Sequence, residues 1–394
     1  MNGRFGMPGR GRAGRKLAGA AGAALAASLG LAMTTAAAAA PRHVTATVHG
    51  SLNGVSCTSS SNCVAVGSRS AGAGTLVEKW NGSKWSVVTS PNPPGSSSST
   101  LWSVACTAAA NCMAVGDYNN SAHTATLPTA ERWNGSKWSV VTVPAPSGGT
   151  GVALQAVSCA SATKCQATGS SAASGSSPVT LAEGWNGTKW SIEPTPSPNP
   201  GKPDTLTGVS CPSASLCWAV GYTFPTNFTG TLTEKWNGSK WSVVTTPTSK
   251  ANQAVGDTCV STTACMTVGI SNKLFAFAQD LSGTTWKLTA APAKPSGATT
   301  SQLSAVACTA AASCESTGTY NKSGGSPALA EGWNGTKWTL QATPAISGSA
   351  YAALQGLACT ASSNCWAVGE TIGSSATDPL IEKWNGSAWS VTAS

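Results

Sequence analysis

Two acidic residues stand where acid–base chemistry could be carried out, each directly after a glycine that ends a strand-like run. They are Asp117, after Gly116, and Glu370, after Gly369. Two carboxyl groups that flank a glycosidic bond can act as general acid and as base or nucleophile. They belong to the second and seventh copies of a sequence repeat. If the copies form a ring, the first copy lies between these two, so we expect the two carboxyl groups to lie too far apart to act on one bond. They remain weak candidates, and no residue is assigned a catalytic role.

A more frequent acid is a glutamate two residues before a tryptophan. Six equivalent carboxylates cannot form one catalytic pair, and a buried carboxylate needs hydrogen-bond donors. We therefore expect these residues to be structural, accepting hydrogen bonds beside a packed tryptophan: Glu78, Glu131, Glu183, Glu234, Glu331 and Glu382.

Histidine is too scarce for nucleophilic catalysis. His43 and His49 precede the first repeat, and His123 stands alone in a loop. A Ser-His-Asp or Cys-His site needs a histidine beside the nucleophile. We expect no such site, no metal and no cofactor.

All 14 cysteines fall into C-x5-C pairs, one in each repeat copy. In an exported chain such local pairs predict disulfides, each stapling the hairpin of two strands. Zinc is the alternative, but pairs in separate copies would lie too far apart to share a tetrahedral ion. The predicted bridges are Cys57 with Cys63, Cys106 with Cys112, Cys159 with Cys165, Cys211 with Cys217, Cys259 with Cys265, Cys308 with Cys314, and Cys359 with Cys365.

The cysteines mark a sevenfold repeat of about 50 residues, which implies a repeat architecture. In the first copy, strand-like runs cover Leu52 to Cys57, Cys63 to Gly67, Thr75 to Trp80 and Trp85 to Val88. These are four short strands with no window for an amphipathic helix. Asn-Gly between the last two predicts a hairpin turn, because both residues tolerate positive φ. Each copy is thus a four-stranded antiparallel meander.

One meander cannot bury both of its faces, so the copies must stack. The predicted fold is all-β, a seven-bladed β-propeller of four-stranded antiparallel blades with one C-x5-C disulfide per blade. A β-solenoid is the competing fold, but its coils are usually shorter. The propeller spans 51–394, with expected blades at 51–93, 94–146, 147–198, 199–247, 248–295, 296–346 and 347–394.

The glycine that closes the second strand and the aromatics around the last turn, Gly67, Trp80 and Trp85, resemble kelch-type blades and the central domain of the galactose oxidase family. The fuller pattern, CxAVG with LxExWNGxxW, is similar to repeats in secreted proteins of high-GC Gram-positive, actinobacterial-type bacteria. The resemblance covers 51–394 and implies a propeller. The kelch double glycine and the histidines of a copper site are absent, so the resemblance implies no kelch function or oxidase activity.

One position in the first strand of each copy varies while its neighbours do not. It lies four residues before the first cysteine, and the innermost strand of a blade lines the axial channel. We predict that this ring lines the channel mouth and either binds a ligand or only lines water. The expected ligand-binding residues are Asn53, Trp102, Gln155, Thr207, Ser304 and Gln355, with Val255 completing the ring.

The loops divide between two faces. We expect the disulfide hairpins and the WNGSKW turns on one side, and the varied second-to-third-strand loops and blade linkers on the other, which is the candidate working face. The linkers Pro91 to Ser99 and Pro194 to Pro203 are interpreted as extended spacers. The fifth copy departs from the template at Asp257, Gln279 and Leu281, by drift or to make a special site.

Residues 1–40 have the pattern of a secretory signal peptide, with five basic residues before an Ala/Gly/Leu run and an alanine tract. A transmembrane anchor is the alternative. Cleavage would reduce the net charge from +9 to +4, so nucleic acid is not implied. Residues 41–50 would be a linker, and the mature protein would be extracellular.

Together these features predict a secreted, non-catalytic recognition module. Its expected partner is an extracellular glycan or protein ligand, with no nucleic acid, no membrane span after cleavage, and a monomeric chain. The repeated tryptophans could stack on sugars, but their regular placement favours blade packing. An extracellular glycosidase or polysaccharide lyase is the first alternative, and a protein–protein scaffold the second.

Overall fold

The computed structural model describes residues 48–70, 74–224, 230–247, 252–290, 292–373 and 376–393. The expected signal peptide and residues 41–47 of the expected linker lie outside these ranges. The secondary-structure elements of the described chain are 28 β-strands. None of its segments is a helix long and apolar enough to cross a membrane.

The strands form seven groups of four, which we call blades 1 to 7 in chain order. Blade 1 contains β1 to β4, at Gly50–Ser59, Asn62–Arg69, Thr75–Trp80 and Trp85–Val87. Blade 2 contains β5 to β8, at Ser96–Ala108, Asn111–Asn120, Thr126–Trp133 and Trp138–Val141. Blade 3 contains β9 to β12, at Gly149–Ser161, Lys164–Ala173, Val179–Trp185 and Trp190–Glu193. Blade 4 contains β13 to β16, at Asp204–Ser213, Leu216–Thr223, Gly230–Trp236 and Trp241–Val243.

Blade 5 contains β17 to β20, at Asn252–Ser261, Ala264–Ser271, Ala276–Ser282 and Thr285–Leu288. Blade 6 contains β21 to β24, at Ala298–Ala310, Ser313–Lys322, Ala328–Trp333 and Trp338–Gln341. Blade 7 contains β25 to β28, at Tyr351–Ala361, Asn364–Ile372, Thr377–Trp384 and Trp389–Val391.

Each blade pairs its four consecutive strands antiparallel, as predicted. Blades 2 and 3 are joined into one eight-stranded sheet by a parallel contact between Thr126 and Gly151. The first two strands are longer than the sequence suggested, because pairing continues past the disulfide to a two-residue turn. The expected spacer Pro91 to Ser99 also ends inside β5.

All seven predicted disulfides are present, and no cysteine is free. Cys57 and Cys63 are direct cross-strand partners with their Cα atoms 4.0 Å apart, and the other bridges repeat this geometry. A disulfide at this place fixes the register of the first hairpin in every blade.

The core lies between blades. The first strand of each blade contacts the first strand of the next, and β1 in turn contacts β25 of blade 7. Trp366 of blade 7 packs against Trp80 and Trp85 of blade 1, with ring centroids 4.7 and 5.3 Å apart. His49 Nδ1 lies 2.5 Å from an oxygen of Asp378 in blade 7. Each sheet consists of consecutive strands, so these contacts, not a shared strand, join the described ends of the chain.

The two hairpins of a blade lie at the same end. The indole nitrogen of Trp80 donates to the carbonyl of Ser60 in the first hairpin, at 3.1 Å. At the opposite end, the linker residue Asn92 accepts a hydrogen bond from the amide of Thr75, at 3.0 Å. The hairpins and the variable connections therefore occupy opposite ends of the blade, which we call the hairpin end and the loop end.

The WNGSKW turn forms the predicted hairpin, and its asparagine acts through its side chain. Trp80 and Trp85 pair across four intervening residues, and only Gly82 adopts positive φ, at +98°. The Asn81 side-chain oxygen instead accepts hydrogen bonds from the amides of Ser83 and Lys84, both at 3.0 Å. The asparagine therefore serves as a side-chain acceptor that mimics a backbone turn, and of the two residues only the glycine uses positive φ.

Candidate functional site

The seven variable positions all fall on β-bulges. In blade 1, Leu52 pairs with Gly67 and Gly54 with Val66, which leaves Asn53 as the extra residue. The same shift occurs in the other six blades. A bulged residue is outside the ladder, and its side chain is re-aimed. This is the physical reason why packing does not dictate its identity.

These bulges bring all seven side chains together around one axis. A cavity of about 470 Å³ is lined by Asn53, Trp102, Gln155, Thr207, Val255, Ser304 and Gln355, together with Gln302, Thr319, Tyr351 and Ala353. A second cavity, of about 360 Å³, is lined by the same seven residues and by the strands as far as Cys57, Cys308 and Cys359. The seven residues, which we call the bulge ring, thus lie where the two cavities meet.

Some members of the bulge ring are held by the adjacent blade. The Asn53 amide donates to the carbonyl of Leu101, at 3.0 Å, and the Thr207 hydroxyl donates to the carbonyl of Ala254, also at 3.0 Å. Within the described chain, the side chains of Gln155 and Ser304 make no hydrogen bond. These two retain their capacity for a ligand or for water.

Trp102 and Gln355 are held by the two acids that the sequence singled out. Trp102 is 39% exposed, and its indole nitrogen donates to an oxygen of Asp117. Gln355 donates to Glu370, at 3.3 Å. The cross-strand register places Asp117 opposite Thr100 and Glu370 opposite Ala353, on the loop side of the ring. In the sequence the acids and the ring residues stand about 15 positions apart, so these contacts leave no sign in it.

Burial raises the pKa of both acids. For Asp117 the hydrogen bond from Trp102 partly opposes the effect, whereas for Glu370 desolvation is the only cause. A raised pKa is what a general acid requires. The catalytic role of this pair nevertheless stays a prediction, because blade 1 stands between the two acids.

The six repeated glutamates are buried between blades. Glu131 accepts a hydrogen bond from Ser90, and Glu331 accepts one from the amide of Ala293, at 2.8 Å. For the other four, neither carboxyl oxygen has a hydrogen-bond partner in the described chain. The prediction that donors compensate all six is therefore wrong for these four. Desolvation raises the pKa of Glu183, Glu234 and Glu382 to about 8, and of the remaining three to about 7.

The tryptophan pairs pack between blades, as their regular placement indicated. Trp80 and Trp85 are almost fully buried, with ring centroids 5.9 Å apart, and the pairs in blades 2, 3, 4, 6 and 7 are similar. Among the tryptophans, Trp102 is the exposed one in the described chain. No group of three or more metal-ligating side chains occurs in the same ranges.

No protein-family model and no curated protein sequence matches the chain. Among solved structures it is similar to YCF48 bound to D1 peptide, with 12% identity over 86% of this chain and 95% of that one, at a TM-score of 0.54. It is also similar to a chain of the mitotic checkpoint complex, with 11% identity, coverage of 96% and 99%, and a TM-score of 0.51. A six-bladed fucose-binding lectin from Aleuria aurantia matches at 11% identity, coverage of 74% and 94%, and a TM-score of 0.45. At such identities, the two neighbours with TM-scores above 0.5 support the β-propeller fold alone.

Proposed function

We propose that this chain is a secreted, seven-bladed β-propeller that recognises an extracellular carbohydrate at the bulge ring without chemical turnover. The contact of blade 7 with blade 1 supports a closed ring of seven. Seven disulfides fit an extracellular protein.

The observation that carries the proposal is the convergence of one bulged residue from every blade on a single cavity. Trp102 offers an exposed ring whose indole nitrogen is already engaged by Asp117, so its orientation is fixed before a ligand arrives. Gln155 and Ser304 add polar groups that have no hydrogen-bond partner in the described chain. An apolar ring face beside hydroxyl and amide groups suits a sugar, which has an apolar face and a rim of hydroxyls.

A glycan and polysaccharide array with the oxidised mature protein tests this proposal, read for both retention and released products. We expect retention without products. Trp102→Ala should weaken binding by about tenfold or more, since stacked aromatic contacts are worth roughly 1 kcal/mol beyond their buried area. Val179→Ala, which shortens an equally exposed apolar side chain on β11, is the matched control and should bind normally.

Unchanged glycan affinity in a folded Trp102→Ala variant would remove the bulge ring as the binding site. Released products would instead support the glycosidase alternative, for which both acids have the raised pKa noted above. Glu370→Gln is then the diagnostic variant, because Asp117 also holds Trp102. Binding to a protein ligand that survives excess free sugar would favour the scaffold alternative.

A further inference from the structure

A basic residue in the third strand of several blades covers a tryptophan of the next blade. The Lys79 ammonium lies 4.9 Å from the ring centroid of Trp133, and the Arg132 guanidinium 5.9 Å from that of Trp185. Lys383 of blade 7 covers Trp80 of blade 1 in the same way, at 5.8 Å. A cation within about 6 Å of an indole face is attracted to it. These interfaces therefore contain an intramolecular cation at a fixed place.

Blade 3 has no cation at this place. The strand register aligns Gly184, opposite Gln166, with Lys79, opposite Val64. Gly184 cannot reach across to Trp236 of blade 4. A cavity of about 270 Å³ lies here instead, lined by Gly184, Trp236, Gln166 and other residues of blades 3 and 4.

The cavity contains a carboxylate where the three interfaces described above contain a cation. Glu193 lies over Gly184, so close that an added Cβ would be 2.2 Å from its Oε1. Glu193 accepts hydrogen bonds from Gln166 Nε2 and from Trp241 Nε1, both at 3.3 Å. The Gln166 Oε1 atom is buried and has no donor among the described residues.

Lys164 also lines the cavity, at its exposed rim. Burial raises the pKa of Glu193, and the hydrogen bonds from Gln166 and Trp241 and, least, the charge of Lys164 partly oppose this effect. Lys164 forms no ion pair with Glu193 in the described chain, because their charged atoms are more than 4 Å apart. The carboxylate therefore remains available to an external cation.

We propose that the cavity between blades 3 and 4 is a binding site for the primary ammonium group of a small amine. Three features of the site match this group. Trp236 supplies an indole of the kind that three other interfaces cover with a cation. Glu193 supplies the countercharge, and Gln166 Oε1 supplies an acceptor that requires an N–H donor. A quaternary ammonium would lack that donor. The site lies between blades, away from the bulge ring, and does not depend on the function proposed above.

The interface between blades 6 and 7 provides a matched control within the chain. Gly332 there stands opposite Glu315, as Gly184 stands opposite Gln166. The amide, however, is on the fourth strand: Gln341 Nε2 donates to Glu315 and Gln341 Oε1 accepts from Trp389, both at 2.7 Å. The amide of Gln341 is thus satisfied at both ends, so among the described residues this interface has no buried amide oxygen without a donor that corresponds to Gln166 Oε1.

The test is an NMR titration of the oxidised protein with methylammonium, following the tryptophan indole ¹H–¹⁵N signals, with tetramethylammonium in parallel. We expect saturable shifts with methylammonium and markedly weaker binding of tetramethylammonium. Gly184→Lys would supply an internal ammonium over Trp236 and should abolish the shifts, whereas Gly332→Lys should leave them unchanged. Glucosamine and lysine amide, which present the same group on a sugar and on a peptide-like unit, identify the source by which of them binds more tightly.

Two further variants keep the test decisive if Gly184→Lys does not fold. Glu193→Gln should weaken methylammonium binding by at least roughly tenfold, because it removes a charge-assisted contact. Lys164→Ala should strengthen it, because it removes a competing positive charge. The absence of saturable shifts in the wild-type protein, or unchanged binding by Glu193→Gln, would overturn the proposal. Glycan retention by Gly184→Lys should equal that of the wild type, so failure at one site is distinguishable from failure at the other.

Discussion

Replacing one interblade glutamate should change how stability depends on pH. Glu382 is 0% exposed, and neither of its carboxyl oxygens has a hydrogen-bond partner in the described chain. Blade 5 carries Gln279 in the same row, opposite Thr267, where Glu382 stands opposite Ala367. Glu382→Gln therefore installs a side chain that the fold already uses at the equivalent place.

The magnitude follows from the shifted titration. Desolvation raises the pKa of Glu382 from 4.5 to about 8 in the folded protein. Between these values the folded chain holds the proton more tightly than the unfolded chain. Stability is therefore greatest below pH 4.5 and falls by about 1.4 kcal/mol per pH unit as the pH rises towards 8. From pH 5 to pH 7.5 this single carboxyl should remove about 3 kcal/mol of unfolding free energy.

Guanidinium denaturation of the disulfide-intact protein at pH 5 and pH 7.5 measures this effect. We expect the difference in unfolding free energy between Glu382→Gln and wild type to move by about 3 kcal/mol in favour of the variant at the higher pH. Gln279→Glu, the reverse change in blade 5, should move it in the opposite direction. Parallel pH profiles for wild type and Glu382→Gln would refute the reasoning, because they would mean that the carboxyl titrates alike in the folded and unfolded chains.

Two other changes test the blade itself by denaturation. Replacing Cys359 and Cys365 together by serine should lower the unfolding free energy by about 2 kcal/mol, as expected for a small covalent loop. The sheet should be retained, because the strand ladder continues on both sides of the bridge. An unchanged denaturation midpoint would contradict a stabilising role for the bridge. Gly67→Ala should abolish folding or cost several kcal/mol, since its Cβ would lie 1.9 Å from a backbone oxygen of β1. Gly151→Ala, whose Cβ would meet its nearest neighbour at 3.7 Å, is the control and should be nearly neutral; equal effects of the two alanines would show that the close approach is not the cause.

The sequence predicted the parts of the fold that are repeated. Several features recur in copy after copy: the cysteine pair of Cys57 and Cys63, the strand pattern and the position of Trp80. Each copy therefore supports the same assignment of strands and disulfides independently. The bulge ring was found because it is the place where the copies disagree. Asn53 and Trp102 share a position but no chemistry, and this indicated that packing leaves the position free.

The remaining features depend on contacts between strands or between blades, which the linear sequence of a copy does not display. The bulge at Asn53 is invisible in the sequence, because it depends on which residue of β1 is left unpaired against β2. The hydrogen bond from Trp102 to Asp117 joins two residues that were considered separately. Gly184, by contrast, left a signal, because it is one of two glycines in a column that holds Lys79, Arg132 and Lys383 in other copies. Its consequence, a cavity beside Trp236 in place of a covering cation, is visible only in the structure.

In each blade, the residue that lines the axis is distinct from the neighbouring residue that packs in the core. Leu52, one position before the ring residue Asn53, is fully buried and belongs to the core, whereas Asn53 itself lies outside both the ladder and the core. A change at such a position alters what lines the axis and leaves the blade intact. Seven blades therefore offer seven positions around one axis at which the core does not fix the side chain, so the lining of the axis can change by substitution without redesign of the scaffold.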